Sequence, residues 1–334
     1  MIFGWRYVEL AIISCPFLIY LRHRLSRTGL IHKTVKIVTT PIFLLVLLAT
    51  SFAAQSETVV APLEMRGLMP VVQVKINGQG PFAFLIDTGA GMQADIDTKI
   101  AERLNLQPSG TAINGDPSGE NDRSVATVVL SSVVIADRVA GTGTRARTIS
   151  DTATVEFRNV KAIVRTHRIT KDYPAVDGIL GFALFADYLL TLDYPAMQLR
   201  LTHGALPPAN GADVLNLEIE DRIPIVELSI GTIRVRAHID SGNFVAGFIL
   251  PEEIVEQLQL QSQPVTVGAA RSVTNRIELR QVQLRNAIRI GSYEFPQPTI
   301  AFPALSDTNV GFKVLRDFAV SFDQQNGRMK LERP

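Results

Sequence analysis

Two stretches of this 334-residue chain are versions of one another. Met69–Gly91 reads MPVVQVKINGQGPFAFLIDTGAG, and Ile223–Asn243 reads IPIVELSIGTIRVRAHIDSGN. Pro70 matches Pro224 at an offset of 154 and Asp87 matches Asp240 at 153, so the second copy lacks one residue near its hairpin turn. The match continues at offset 154 in Ile100–Leu106 (IAERLNL) and Ile254–Leu260 (IVEQLQL). Both predict short amphipathic helices, with Ile100 and Leu104 at i,i+4 and Pro251 near the start of the second. Gly181-Phe-Ala-Leu, Leu192-Asp193 and Leu199-Arg-Leu201 are then matched by Gly311-Phe-Lys-Val, Phe322-Asp323 and Met329-Lys-Leu331 at offset 130. A repeat of this kind decides the architecture before any other feature does.

The repeat predicts two related lobes, residues 61–203 and 216–334, joined by a linker over residues 204–215 that contains Pro207, Pro208 and Gly211. Val71–Ile76 and Ile225–Ile230 are rich in β-branched residues, Asn77-Gly78-Gln79-Gly80 reads as a turn, and Phe82–Ile86 reads as a buried strand. Helical patterns are few. The expected class is mainly β with two pseudo-symmetric lobes.

Composition removes several functions. Hydrophobic residues at 46% and charged residues at 19% exclude a disordered or collagen-like chain. A formal net charge of +1 leaves no footprint for nucleic acid. The single cysteine, Cys15, excludes a disulfide framework and a Cys-based zinc site. No His, Cys or carboxylate spacing suits a metal, so neither metal nor cofactor is expected. The string Gly141-Thr-Gly143-Thr-Arg-Ala146 resembles a dinucleotide loop, but it neither follows a clear strand nor opens a helix. No Gly-x-Ser-x-Gly elbow is present for a serine hydrolase.

Residues 1–54 read as a targeting segment. Lys33 and Lys36 precede the apolar run Ile37–Leu48, and Ala49–Ala54 follows with small residues placed for cleavage after Ala53. A retained membrane anchor is the rival reading, and Met1–Tyr20 is either a first membrane segment or lies upstream of the true start. The remaining body carries 27 basic and 31 acidic residues and no cysteine, which suits an oxidising compartment. The expected location is exported: periplasmic, or membrane-anchored and facing the periplasm.

The chemistry is expected at Asp87 and Asp240. Each ends an apolar strand and opens an Asp-Thr/Ser-Gly turn: Asp87-Thr88-Gly89 and Asp240-Ser241-Gly242. A strand end partly desolvates the carboxylate, which disfavours its charged form. Glycine two residues on permits a tight turn that offers backbone N–H groups to that carboxylate. The Thr88 and Ser241 hydroxyls can bond the opposite loop and lock the two turns together. Two such carboxyls face to face share a proton, so one serves as general base for water and the other as general acid.

With these residues the chain resembles the retropepsin-like aspartic proteases, in a form with both lobes on one chain as in pepsins. The resemblance covers most of residues 64–332. Asp87-Thr88-Gly89-Ala90 is similar to the family's catalytic loop, and Gly178-Ile179-Leu180-Gly181 after Asp177 is similar to the motif that braces it. The resemblance implies two retropepsin-like (acid protease) β-barrel lobes with a central active-site cleft. It implies an aspartic endopeptidase acting on peptide or protein substrates, with Asp87 and Asp240 catalytic and no cofactor. Because one chain supplies both lobes, a monomer suffices. Gly311 is the bracing glycine of the second lobe. The glycine-rich flap is expected around Gly141 and Gly143 in lobe one and Gly268 in lobe two. The departures are Asn243 and Asn309, where the family has a small and an apolar residue; they predict a looser second loop. That looseness motivates the alternative reading, a non-catalytic peptide-binding or envelope scaffold protein on the same fold.

Overall fold

The computed structural model describes residues 58–115, 121–136, 153–167, 175–271, 276–302 and 307–334. The targeting segment therefore lies outside the described residues. The fold is mainly β, in three sheets.

The first half forms an eight-stranded sheet in the order Glu64–Arg66, Met69–Ile76, Gln79–Asp87, Gly178–Gly181, Ala94–Asp97, Thr154–Arg165, Arg123–Ala136, Pro108–Asn114. Pairing of Ile76 with Val133 curls it towards closure. The second half repeats the central path. Ile233–Asp240, Asn309–Gly311, Phe248–Ile249, Thr299–Ala301, Arg276–Gln283 and Val265–Arg271 lie side by side in that order. In both halves the strand carrying the key aspartate runs parallel to the bracing strand, with Asp87 opposite Gly181 and Asp240 opposite Gly311. In both, the bracing strand then pairs antiparallel with the next short strand, Ala94 with Leu180 and Phe248 with Val310.

The third sheet is built from both halves. Leu189–Asp193 pairs antiparallel with Ala319–Asp323, with Thr191 opposite Ser321 at its centre. Their hydroxyls lie 2.8 Å apart. Leu190, Leu192, Val320 and Phe322 are buried around this contact and merge the two halves into one core. Gln198–Thr202 and Thr58–Pro62 extend the sheet on one side, and Arg328–Glu332 and Val214–Asn216 on the other. The expected linker ends inside this last strand; residues 204–213 form no strand.

Local differences have local causes. The residue absent from the second copy is a β-bulge in the first, where pairing shifts between Val74–Phe82 and Ile76–Gln79 and so sets the two residues Gly80-Pro81 against Lys75 alone. The first helix spans Thr98–Arg103, earlier than its apolar spacing predicts. Asp97 Oδ1 caps it by accepting the Lys99 N–H at 2.9 Å, and Asn105 at φ 51° ends it. The second helix is only Glu252–Val255. Among the described residues no helix is long and apolar enough to cross a membrane.

Candidate active site

The two loops are locked to each other by four hydrogen bonds related by the repeat. The Thr88 hydroxyl donates to Ile239 C=O at 2.6 Å and accepts the Ser241 N–H at 3.0 Å. The Ser241 hydroxyl donates to Ile86 C=O at 2.8 Å and accepts the Thr88 N–H at 2.9 Å. Both side chains are 1% exposed, so these bonds form away from water. Valine at position 88 keeps the shape but strands a buried N–H on Ser241 and a buried C=O on Ile239. Thr88→Val is expected to cost about 2–4 kcal/mol in denaturant unfolding. Ser241→Ala should cost a similar amount. The double variant should cost less than the sum, because either loss already lets the loops part.

The lock brings Asp87 and Asp240 into hydrogen-bonding contact across the cleft. Both are partly buried. Each accepts the N–H of the glycine two residues on, Gly89 to Asp87 Oδ1 and Gly242 to Asp240 Oδ1, both at 2.9 Å. Those glycines also admit the opposing carboxyl: a Cβ on Gly89 would lie 2.5 Å from Asp240 Cγ, and one on Gly242 would lie 2.5 Å from Asp87 Cγ. Burial, then the charge of Asp240, push the Asp87 carboxyl well above its ordinary value. The Gly89 N–H and the Arg165 guanidinium oppose that rise without cancelling it. One proton shared between two carboxyls in such a site equips it for general acid–base chemistry on a carbonyl.

The bracing residues contact the loops in both halves. The Gly181 N–H donates to Gln93 C=O and the Phe182 N–H to Ala90 C=O. A Cβ on Gly181 would meet Met92 C=O at 2.1 Å. Gly178 presses on Asp95 C=O and the Phe84 ring. Ile179 packs with Met69 and Leu85 against Ala90 and Phe244, while Leu180 is fully buried in the main core. In the second half the Gly311 N–H donates to Gly247 C=O and the Phe312 N–H to Asn243 C=O. The second loop is not loose. Asn243 is 8% exposed and its side chain bonds Asn309, so the two departures from the family pattern hold one another.

The expected flap glycines fall in different places. Gly141 and Gly143 lie outside the described residues, in the connection between Arg123–Ala136 and Thr154–Arg165. Gly268 sits at a bulge in the hairpin of Val265–Arg271 with Arg276–Gln283. The topologically equivalent hairpin of the first half is Pro108–Asn114 with Arg123–Ala136, bulged in the same way at Gly110.

Other acids have structural partners. Asp193 Oδ1 accepts the Ala196 N–H, Asp323 Oδ1 accepts the Asn326 N–H, and Asp177 Oδ2 accepts the Ala83 N–H. Sequence reasoning missed Asp95, which is fully buried, ion-paired with Arg165 and hydrogen-bonded to the His167 ring at 2.8 Å. The only cue was Arg165-Thr-His167, an alternating pair at a strand end. This cluster ties Ala94–Asp97 to its neighbour and so supports the bracing strand behind Asp87. Tyr194 packs edge-to-face on Phe312, and burial pushes its phenol up, so it stays neutral near the pair. Among the described residues no group of three His, Cys, Asp or Glu is placed to hold a metal.

A family model described as aspartyl protease matches residues 72–184, which spans the Asp87 loop and its bracing strand. No curated protein matches. Among solved structures, the crystal structure of Basic 7S globulin from soybean aligns at 12% identity and a TM-score of 0.46, covering 83% of this chain and 95% of that one. Residues 72–184 are thus similar to the aspartyl protease family, and the Asp87-Thr88-Gly89 loop they contain is repeated in the second half at Asp240-Ser241-Gly242.

Proposed function

We propose that this chain is an aspartic endopeptidase in which Asp87 and Asp240 activate one water between them. The observation that carries this reading is the reciprocal Thr88–Ser241 lock, which holds two partly buried carboxyls in contact at the end of matched strands. In the reaction, water adds to the peptide carbonyl carbon, one carboxylate takes the water's proton, and the other carboxyl protonates the carbonyl oxygen. The resulting diol then breaks its C–N bond as the first group protonates the nitrogen, and a diol hydroxyl returns the second proton. No metal or covalent enzyme intermediate is needed. An extended substrate would add main-chain hydrogen bonds along the cleft beneath the two hairpins. The rival reading as a binding-only scaffold drew on a loosened second loop, and the Asn243–Asn309 bond removes that support. Export by residues 1–54 and a monomeric state remain proposals from sequence.

The test is incubation of the full chain with an unbiased peptide library from about pH 3 to about pH 8. Cleavage at internal bonds flanked by apolar residues is expected. A folded chain that cuts nothing across that range would overturn the assignment and return the binding reading.

A further inference from the structure

Asp87 and Asp240 are related by the repeat, but their surroundings are not. Outside the pair, Asp87 accepts one hydrogen bond among the described residues, from the Gly89 N–H. Asp240 accepts three: Gly242 N–H at 2.9 Å and Asn243 N–H at 3.0 Å on Oδ1, and Asn309 Nδ2 at 2.7 Å on Oδ2. The repeat counterpart of Asn309 is Ile179, which packs among Met69, Leu85 and Ala90 and offers no donor. Of the two extra donors, the Asn243 N–H belongs to the loop backbone, and the side-chain donor comes from one substitution on the bracing strand.

The orientation of that amide is fixed by backbone. Asn243 Oδ1 accepts the N–H of Val245 at 3.0 Å and faces that of Ala246 at 3.4 Å. Its Nδ2 is thereby turned to Asn309 and donates to Asn309 Oδ1 at 2.7 Å. With its oxygen so engaged, Asn309 can present only its Nδ2 to Asp240. Reversing either amide would set oxygen against oxygen. A hydrogen-bond donor favours the ionised form of a carboxyl that accepts from it.

We propose that Asn309, set by Asn243, is a positioning residue that divides the labour of the pair: Asp240 is kept as the carboxylate that takes the proton of water, and Asp87 is the protonated partner that gives its proton to the substrate carbonyl. The upward push on Asp87 is consistent with that division. This rests on the proposed peptidase chemistry for its consequence, but the placement of the proton can be measured without turnover. Among the described residues, the titratable and charged groups that act on the pair are the two carboxyls themselves, the Tyr194 phenol and the Arg165 guanidinium, and His238 stands two residues before Asp240 on its strand.

The experiment uses the full chain with Asp labelled at 13Cγ. In an Asp87→Asn background the Asp240 signal is identified by its loss in the further Asp240→Asn variant. Adding Asn309→Leu should move the Asp240 titration midpoint up by about one to two pH units. Asn243→Ala should move it in the same direction by less. In parallel, cleavage of the peptide library by the Asn309→Leu chain with Asp87 intact should show its acid limb displaced upward, a change that a merely structural role would not produce. An Asp240 midpoint unmoved by Asn309→Leu in a folded chain overturns the proposal, whether or not the protein cleaves. A midpoint that moves in a chain that never cleaves leaves the division intact and overturns the peptidase reading instead.

Discussion

Asp87→Asn should abolish cleavage and at the same time stabilise the protein at neutral pH. The loss of activity follows from the roles: each carboxyl moves a proton in both halves of the reaction, and removing such a group costs roughly 10²–10⁴-fold in rate. Asp240→Asn should be as severe, and the double variant little worse, because residues that act as a unit are not additive. The gain in stability follows from the direction of the Asp87 shift. A carboxyl raised above its ordinary value of 3.8 binds its proton more tightly in the folded state. Between the unfolded and folded values the native state holds more protons, so wild-type stability falls as pH rises through that window. Each pH unit of window is worth about 1.4 kcal/mol. Asparagine carries no charge to desolvate and none to oppose Asp240. Thermal unfolding should therefore show the variant and wild type equal well below pH 3.8 and diverging above it in favour of the variant. Asp240→Asn should gain less, since it disturbs a carboxylate that accepts three donors. Equal melting temperatures at neutral pH would show that Asp87 is not held against ionisation, and the acid–base argument would lose its footing.

What could be read from sequence is what sits within a few consecutive residues. Asp87-Thr88-Gly89 and Asp240-Ser241-Gly242 carry strand end, lock and turn in one triplet, and duplication marks the two as a pair. The bracing motifs were legible for the same reason. Contacts between distant residues were not. Asn243 and Asn309 each depart from the expected type, and singly each looks like a defect; only the parallel register of Ile233–Asp240 with Asn309–Gly311 brings them together beneath Asp240. Asp95, Arg165 and His167 meet across 70 to 72 residues, and alternation on a strand does not name a partner. The shared sheet was half legible. Leu189–Asp193 and Ala319–Asp323 were matched as repeat copies, but nothing in two similar strands says that they pair with each other rather than with separate neighbours. The bulge at Gly110 in the first half was not legible, because it depends on the register between Pro108–Asn114 and Arg123–Ala136.

The glycines of the triplets provide the other large effect. Glycine is expected after Asp-Thr and Asp-Ser for its freedom in a tight turn, yet neither Gly89 nor Gly242 adopts a positive φ. Their requirement is space. A Cβ on Gly89 would lie 2.5, 2.6 and 2.8 Å from Cγ, Oδ1 and Oδ2 of Asp240, and one on Gly242 would crowd Asp87 in the same way. The bare Cα of each loop is the wall against which the opposite carboxyl rests. The obstructed atoms cannot swing aside cheaply: Asp240 is held by Gly242, Asn243 and Asn309, and Asp87 by Gly89 and Asp240 itself. Gly89→Ala and Gly242→Ala should each lower cleavage by about 10²-fold or more, since a displacement near 1 Å at reacting groups costs that much. Each should also destabilise by about 1–3 kcal/mol, the usual cost of overpacking. Gly204→Ala is the control, because it meets nothing within 4 Å and should change neither quantity. Peptide-cleavage rates and denaturant unfolding on the three variants decide the matter. If Gly89→Ala keeps its activity, the carboxyls tolerate being pushed apart, and the tight opposition of Asp87 and Asp240 is not what the chemistry uses. If both loop variants fail while Gly204→Ala does not, the glycine of each triplet is a matter of how closely two loops approach rather than of how sharply either one turns.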